Sequence, residues 1–513
     1  MKRLILIGTV ITAAIMELID TSIVNVALNH MSGNLGASIE DISWVVTAYA
    51  IANVIIIPMT SFLVNNLGRR NYYIGSIILF TFCSFMCGNS TNIWELVAFR
   101  FLQGIGGGAL LSVSAVVVYE CFPREKQNIA SALFGIGVFI GPTIGPTLGG
   151  YITDNFSWPW IFYINLPIGI VTALICLRLL PESPVREKIK QIDWAGILFL
   201  ILGVGALQTV LERGETEDWF ESKTIVILSI TAVIALVLFI YRELTTATPV
   251  VKLRILSYPS LSISAILTFV TGLGMFTSIF LTPVLVQRFL GFSPTQAGLV
   301  LLPGSILAVF ALIVTGRALQ RGVAPSLIVL IGFVCFIYFN WAMSQINLNV
   351  SANMISHNLI IRAVGMALLT VPLSTLAISQ LEPQDMAQGT AINNMMRQLG
   401  GSFGIAIINA FIARSSAQHR IDLISHVTAD NMHLTQRLEK YKALFLTQGL
   451  TGPDAERRAM GLVEKVVAKQ SLFSSYLDAY LLVGIIFLLV APILLFFFKE
   501  NKDRKIVIAN ADH

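Results

Sequence analysis

The sequence predicts an all-α integral membrane protein with fourteen transmembrane helices. Three observations predict it. Only 12% of the 513 residues are charged and 55% are hydrophobic, whereas a soluble domain is about a quarter charged. Apolar runs of roughly 20 residues, each long enough to cross a hydrocarbon core of about 30 Å, follow one another along the chain. Lysine and arginine concentrate in alternate connections, as they do on the cytoplasmic side of membranes. The mean hydropathy is +0.77.

In order, the spans read as 5–29, 43–64, 72–88, 93–119, 128–152, 158–180, 193–212, 222–242, 258–285, 294–317, 325–344, 352–378, 393–413 and 476–498. The first follows the basic start "MKRLILIGTVITAAIM" and runs past the length of a cleavable signal, so it is read as a retained helix. With the N-terminus inside, the cytoplasmic segments hold Lys2, Arg3, Arg69, Arg70, Arg124, Lys126, Arg178, Arg186, Lys188, Lys190, Arg242, Lys252, Arg254, Arg317 and Arg321. The tail adds Lys499, Lys502, Arg504 and Lys505, while the short outer loops hold only Arg213, Lys223 and Arg288. Both termini are therefore expected to be cytoplasmic. The net charge of +5 reflects this clustering. It says little about nucleic acid, which is not expected as a partner; the apolar spans make the lipid bilayer the expected one.

The one long outer loop is 414–475. Its middle, "NMHLTQRLEKYKALFL", has helical apolar spacing. His419, His426 and His433 recur there every seven residues. That step is about 10.5 Å along a helix, too long for one metal ion, and a solvated face is expected. No metal site is expected elsewhere. Cys83, Cys87, Cys121, Cys176 and Cys335 lie in or beside spans and read as packing residues.

An internal repeat organises the spans. Short basic connections, "NNLGRR" at 65–70 and "GRALQRG" at 316–322, follow spans two and ten. Spans four and twelve each place one arginine before glycine, in "FRFLQGIGGGALL" and "IRAVGMALL". Spans five and thirteen are glycine-rich. The offset of eight fits two six-helix bundles separated by two additional helices. The expected units are 1–180, a linker hairpin at 181–257, 258–500 including the loop at 414–475, and a tail at 501–513.

Ionisable residues at membrane depth cost about 2.5–3.5 kcal/mol each on insertion scales, so they mark cavities or partners. Five stand out: Glu17, Asp20, Arg100, Arg362 and Arg397. Glu17 and Asp20 are three residues apart and share a helix face. Two close carboxyls with little water do not ionise together easily, which suits a group that binds and releases protons. Arg362 and Arg397 are candidates for cargo contact.

On these residues the chain resembles the major facilitator superfamily, and within it the fourteen-helix drug–proton antiporters of the EmrB/QacA type. "LIDTSIVNVAL" is similar to the first-helix signature, at Asp20, Thr21, Asn25 and Ala27. "RFLQGIGGG" is similar to the fourth-helix motif, at Arg100, Gln103 and Gly104. "GPTIGPTLGG" is similar to the antiporter motif, at Gly141, Pro142, Gly145, Pro146, Gly149 and Gly150. "WPWIFYINLPIG", "LERGETEDWF" and "NNMMRQLGGSFG" look characteristic of this branch. The loop after span two departs from the family pattern. In "SFLVNNLGRR", Ser61, Asn65 and Asn66 replace a glycine, an aspartate and an arginine, while Gly68, Arg69 and Arg70 remain.

The resemblance implies a proton-coupled exporter of lipophilic drugs or toxic small molecules in a bacterial inner membrane, working by alternating access. Asp20, Glu17 and Arg100 would carry proton coupling. Asn25, Gln103, Arg362, Arg397 and Asn393 would face cargo. The fifth span would make a tight, kinked contact between the halves. The proton is the only coupling ion expected, and no cofactor. A Walker motif is absent, so ATP is not expected as fuel. EmrB-like permeases imply a membrane-fusion adaptor and an outer-membrane channel, with 414–475 as the docking candidate; QacA-like ones act alone. The alternative reading is an exporter or importer of one specific metabolite or siderophore-like compound. An enzyme would need a catalytic constellation that the sequence does not offer.

Overall fold

The computed structural model describes residues 2–123, 126–182, 192–382, 384–428 and 431–492. Arg124, Arg186, Lys188, Lys190, the end of the last span and the tail at 501–513 lie outside them.

Every long element is a helix. The first bundle comprises α1 (Lys2–Leu35), α2 (Ile39–Leu67), α3 (Arg69–Gly88), α4 (Ile93–Glu120), α5 (Gln127–Asn155), the single turn α6 (Trp160–Tyr163) and α7 (Asn165–Leu179). A hairpin follows, α8 (Trp194–Arg213) and α9 (Lys223–Thr245). Then come α10 (Pro259–Arg288), α11 (Pro294–Gln320), α12 (Pro325–Ser344), α13 (Ala352–Ile378), α14 (Met386–Ser425), α15 (Met432–Thr447) and α16 (Gly452–Val490).

Local chemistry sets the helix starts. Ser38, Asn92 and Ser351 accept backbone N–H groups of the first turns of α2, α4 and α13. Ser293 and Gln296 form a reciprocal capping box on α11. Gly68, at φ +86°, turns the chain between α2 and α3 where a side chain would be strained.

Among the described residues, thirteen stretches are long and apolar enough to cross a membrane. The fourteenth is α14, whose N-terminal half carries Asn393, Asn394, Arg397 and Gln398 and so falls short on hydropathy. It nevertheless packs against α10, α16 and α2 in the bundle interior. With α6 and α7 taken as one span, the total is fourteen.

The connection at 414–475 carries the expected helix in its middle, and its flanks are helical as well. Helix α14 continues to Ser425, α15 packs on α16, and α16 begins at Gly452. Arg420–Glu464 at 2.7 Å and Lys442–Glu456 at 3.2 Å join neighbouring arms of this extension. His419 reaches Asp478 at 2.6 Å, and among the described residues the three histidines form no common cluster.

Two seams join the halves. On one, α2 packs on α14; on the other, α5 packs on α11 and α13. The α5–α11 seam is close: a Cβ on Gly316 would stand 2.9 Å from the Cβ of Ala132. The hairpin helix α8 lies across the first seam, touching both α2 and α14. Leu200 and Val204 of α8 share a core cluster with Val54 and Ile55 of α2 and Ile392 of α14.

Candidate proton and cargo site

The two acids of α1 lie at 18 and 15 residues from the start of a 34-residue helix, in its middle third. Asp20 is fully buried, and its carboxylate is held from three directions. Arg100 Nη1 of α4 donates to its Oδ2 at 2.5 Å. Gln103 Nε2 and Asn165 Nδ2 donate to its Oδ1 at 3.1 and 2.8 Å. The guanidinium is fixed in turn. Arg100 donates to Gln103 Oε1 at 2.8 Å and to the Val45 carbonyl at 3.2 Å, and lies 4.2 Å from the Tyr49 ring centroid. Asn165 also donates to Ser84, whose hydroxyl donates to the Phe162 carbonyl. An ion pair in low dielectric needs such supporting hydrogen bonds to offset its lost hydration.

Glu17, read with Asp20 as one site, has a different set of partners. Its Oε1 accepts from Tyr49 Oη at 3.2 Å and Asn53 Nδ2 at 3.1 Å, both on α2. Its Oε2 is buried without a hydrogen-bond partner. Three residues of helix rotate one side chain by about 300°, so the two carboxyls are close yet face different neighbours. Arg100 contacts only Asp20 of the pair.

The cargo candidates separate further. Gln103 belongs to the Asp20 cluster. Asn25 is exposed and donates only to the carbonyl of Thr21, away from that cluster. Asn393 is buried, accepts from Ser264 at 3.2 Å, and lines a small polar cavity between the halves with Asn394, Arg397, Tyr119 and Thr390. Arg362 lines a second, mostly apolar cavity with Pro142, Pro146, Ile279, Pro283 and Leu301. It donates to Ser278 at 2.9 Å and has the Phe339 ring 5.9 Å away. Among the described residues no carboxylate pairs with Arg362.

Two embedded cavities between pseudo-equivalent bundles, with a buried acid–arginine pair beside them, are the layout of a transporter. Residues 10–405 match the Major Facilitator Superfamily. The chain belongs to that superfamily. It is 31% identical over 484 residues to the multidrug export protein EmrB of Escherichia coli (strain K12), covering 94% of this chain and 93% of that one. It is 30% identical over 481 residues to the fatty acid resistance protein FarB of Neisseria gonorrhoeae, with the same coverage. The colistin resistance protein EmrB of Acinetobacter baumannii is 28% identical over 493 residues, 95% of this chain and 94% of that one. The crystal structure of the human organic anion transporter MFSD10 superposes with a TM-score of 0.58 over 94% of this chain and 98% of that one, at 12% identity. That likeness concerns the fold alone. The protein is thus an EmrB-like superfamily member of the multi-pass, bacterial inner-membrane type.

In this superfamily member the antiporter motif of α5 divides its work. The glycines face α1 within the same half, not the other half. A Cβ on Gly141 would meet Leu18 Cβ at 2.5 Å, and one on Gly149 would meet Ile23 Cγ1 at 2.8 Å. Gly145 faces Ser22 just as closely. Pro142 and Pro146 turn toward the second half and line the Arg362 cavity. The close approach to the other half comes instead from the prolines and from Thr147, which would stand 2.2 Å from a Cβ on Gly298 of α11.

The loop with Asn65, Gly68, Arg69 and Arg70 is anchored by other acids. Arg69 pairs with Glu120 and donates to the carbonyls of Pro181 and Glu182. Arg70 donates to the Leu177 carbonyl, and its backbone N–H faces the Glu182 carboxylate at 3.5 Å. The anchor so formed lies within the first bundle. Sequence reasoning missed Asn165, Ser84, Tyr49 and Asn53 as site residues. Asn165 lay inside the quoted signature "WPWIFYINLPIG", which was the available signal.

Proposed function

We infer that this superfamily member is a proton-coupled exporter of lipophilic small molecules. The observation that carries this reading is the dry Asp20–Arg100 pair with Glu17 beside it, in a chain similar to proteins named for multidrug export and fatty acid resistance. A carboxylate near a guanidinium favours its charged form; moving the guanidinium away favours the proton. Rocking the two bundles about the seams would alternate these states. Cargo would leave from the outward-facing state as a proton enters, and the proton would leave to the cytoplasm with both termini on that side.

Alternating access suits the seams, where α2, α5, α11 and α13 each carry a proline inside a continuous helix. The cavities with Arg362 and with Asn393 and Arg397 are the cargo-facing positions in this reading. The helical extension built from α14, α15 and α16 offers the outer surface on which an adaptor would dock.

The test is transport in proteoliposomes with an imposed pH gradient. Acidification on the side opposite the termini should drive a lipophilic dye toward that side. Dye movement indifferent to the gradient would remove the proton. Movement in the opposite direction would favour the metabolite importer.

A further inference from the structure

Glu17 and Arg397 lie in different halves and carry opposite charges. Each has bonding capacity left over. Glu17 is 3% exposed, yet its Oε2 meets no donor. Arg397 donates to Asn394 three residues earlier. Among the described residues no carboxylate lies within ion-pair distance of it. Glu17 bonds Tyr49 and Asn53, which pack against Gly107 of α4, and Asn394 bonds Ser112 one to two turns along α4, so the two charges lie at neighbouring levels of one interface without forming an ion pair.

The remaining charged and titratable groups nearby are engaged otherwise. Asp20 and Arg100 are paired to each other. Tyr49 donates to Glu17 itself. Tyr119, which shares the Arg397 cavity, accepts from Ser131 at 3.3 Å. Arg397 also rides on a segment already joined across the interface. Asn394, its own partner, donates to Ser112 of α4 at 3.3 Å. Any drift of α14 relative to α4 and α2 therefore changes the Glu17–Arg397 separation directly.

The geometry points to Arg397 as the group that reads the charge of Glu17 across the interface. Ionised Glu17 attracts Arg397 and holds α14 against α1 and α2. A proton on Glu17 removes the attraction and lets the halves part at that level. Coulomb attraction is strong where little water screens it, so one proton changes the contact appreciably. The assignment rests on the proton-coupled reading, and gives that reading a route from protonation to movement.

Paired spin labels at Leu67 and Val323, exposed at the same end of the two bundles, report the separation in the full chain in nanodiscs. The native cysteines are replaced and pH is stepped across the carboxylate and histidine range. The wild-type distance distribution should shift with pH. Arg397→Gln should lose that shift, Arg397→Lys should keep it, and Glu17→Gln should stay in the low-pH distribution throughout. Should Arg397→Gln fail to fold, Glu17→Gln and Arg397→Lys still decide. A full shift in Arg397→Gln, or one in Glu17→Gln, overturns the pairing. If transport in wild-type proteoliposomes is proton-driven at the same time, only the pairing falls. If neither transport nor distance responds to protons, the proton-coupled reading falls with it.

Discussion

Arg69, the first residue of α3, is ion-paired with Glu120, the last residue of α4. The pair closes the open end of the α3–α4 hairpin, at the end of the first bundle that carries the N-terminus. It does so in a loop where Asn65 stands in place of the family's aspartate.

Arg69→Ala should therefore destabilise the first bundle. It removes donors from two carbonyls and leaves Glu120 without its partner. Because Glu120 is partly exposed, the expected cost is about 1–3 kcal/mol, less than for a fully buried pair. Thermal unfolding in detergent measures it. Unchanged unfolding would mean that the loop is not a structural anchor.

Asp20→Asn should abolish gradient-driven export at equal expression. The amide can still accept from Asn165 but cannot titrate, and its NH2 faces the Arg100 guanidinium. Drug resistance should fall to the level of cells without the protein. Full resistance in this variant would remove Asp20 from coupling.

Gly145→Val should lower stability by about 1–3 kcal/mol, the usual cost of overpacking. Its side chain would enter the space of Ser22 on α1. Gly75, with open space around it, is the control. Gly75→Ala should be neutral or stabilising by up to about 1 kcal/mol, through helix propensity. Equal melting of both variants would contradict the close α1–α5 packing.

The pattern of what the sequence revealed follows from solvent. Most spans were legible because lipid demands an unbroken apolar run. Helix α14 carries the weaker apolar signal, since its interior position tolerates Asn393, Asn394 and Arg397. Within 414–475 the helical spacing of the middle was legible, whereas the continuations of α14 and α16 into it were not, because water imposes no apolar run on an exposed helix. Asp20, Glu17 and Arg100 were legible because a membrane tolerates few charges. Asn165 and Asn53 were not, because neutral polar residues are common in spans. Which way Gly145 and Pro146 faced depended on which helix lay beside each, and no single-chain pattern reports that.

Cargo should be neutral or weakly acidic in preference to dicationic. Arg362 and Arg397 border the cavities between the halves with no carboxylate within ion-pair distance among the described residues, while Asp20 is committed to Arg100. An unpaired cation entering such a cavity loses its hydration without compensation. A resistance profile in a strain lacking its own pumps should show protection against weak-acid uncouplers and neutral antibiotics above that against divalent organic cations. Arg362→Ala should weaken protection against the acids most. Strong protection against dications alone would refute the charge argument.

The position of α8 makes the two flanks of the molecule unequal. A compound dissolved in the surrounding lipid meets two slits between the bundles. The one along α2 and α14 is roofed by a third helix for its length, with Gln208 bonded to Ser402 and Arg213 to Ser43. Along α5 and α11 no such roof is present among the described residues. In the proposed reading, oily molecules arriving sideways from the bilayer would enter along α5 and α11, with the prolines of α5 as the doorposts.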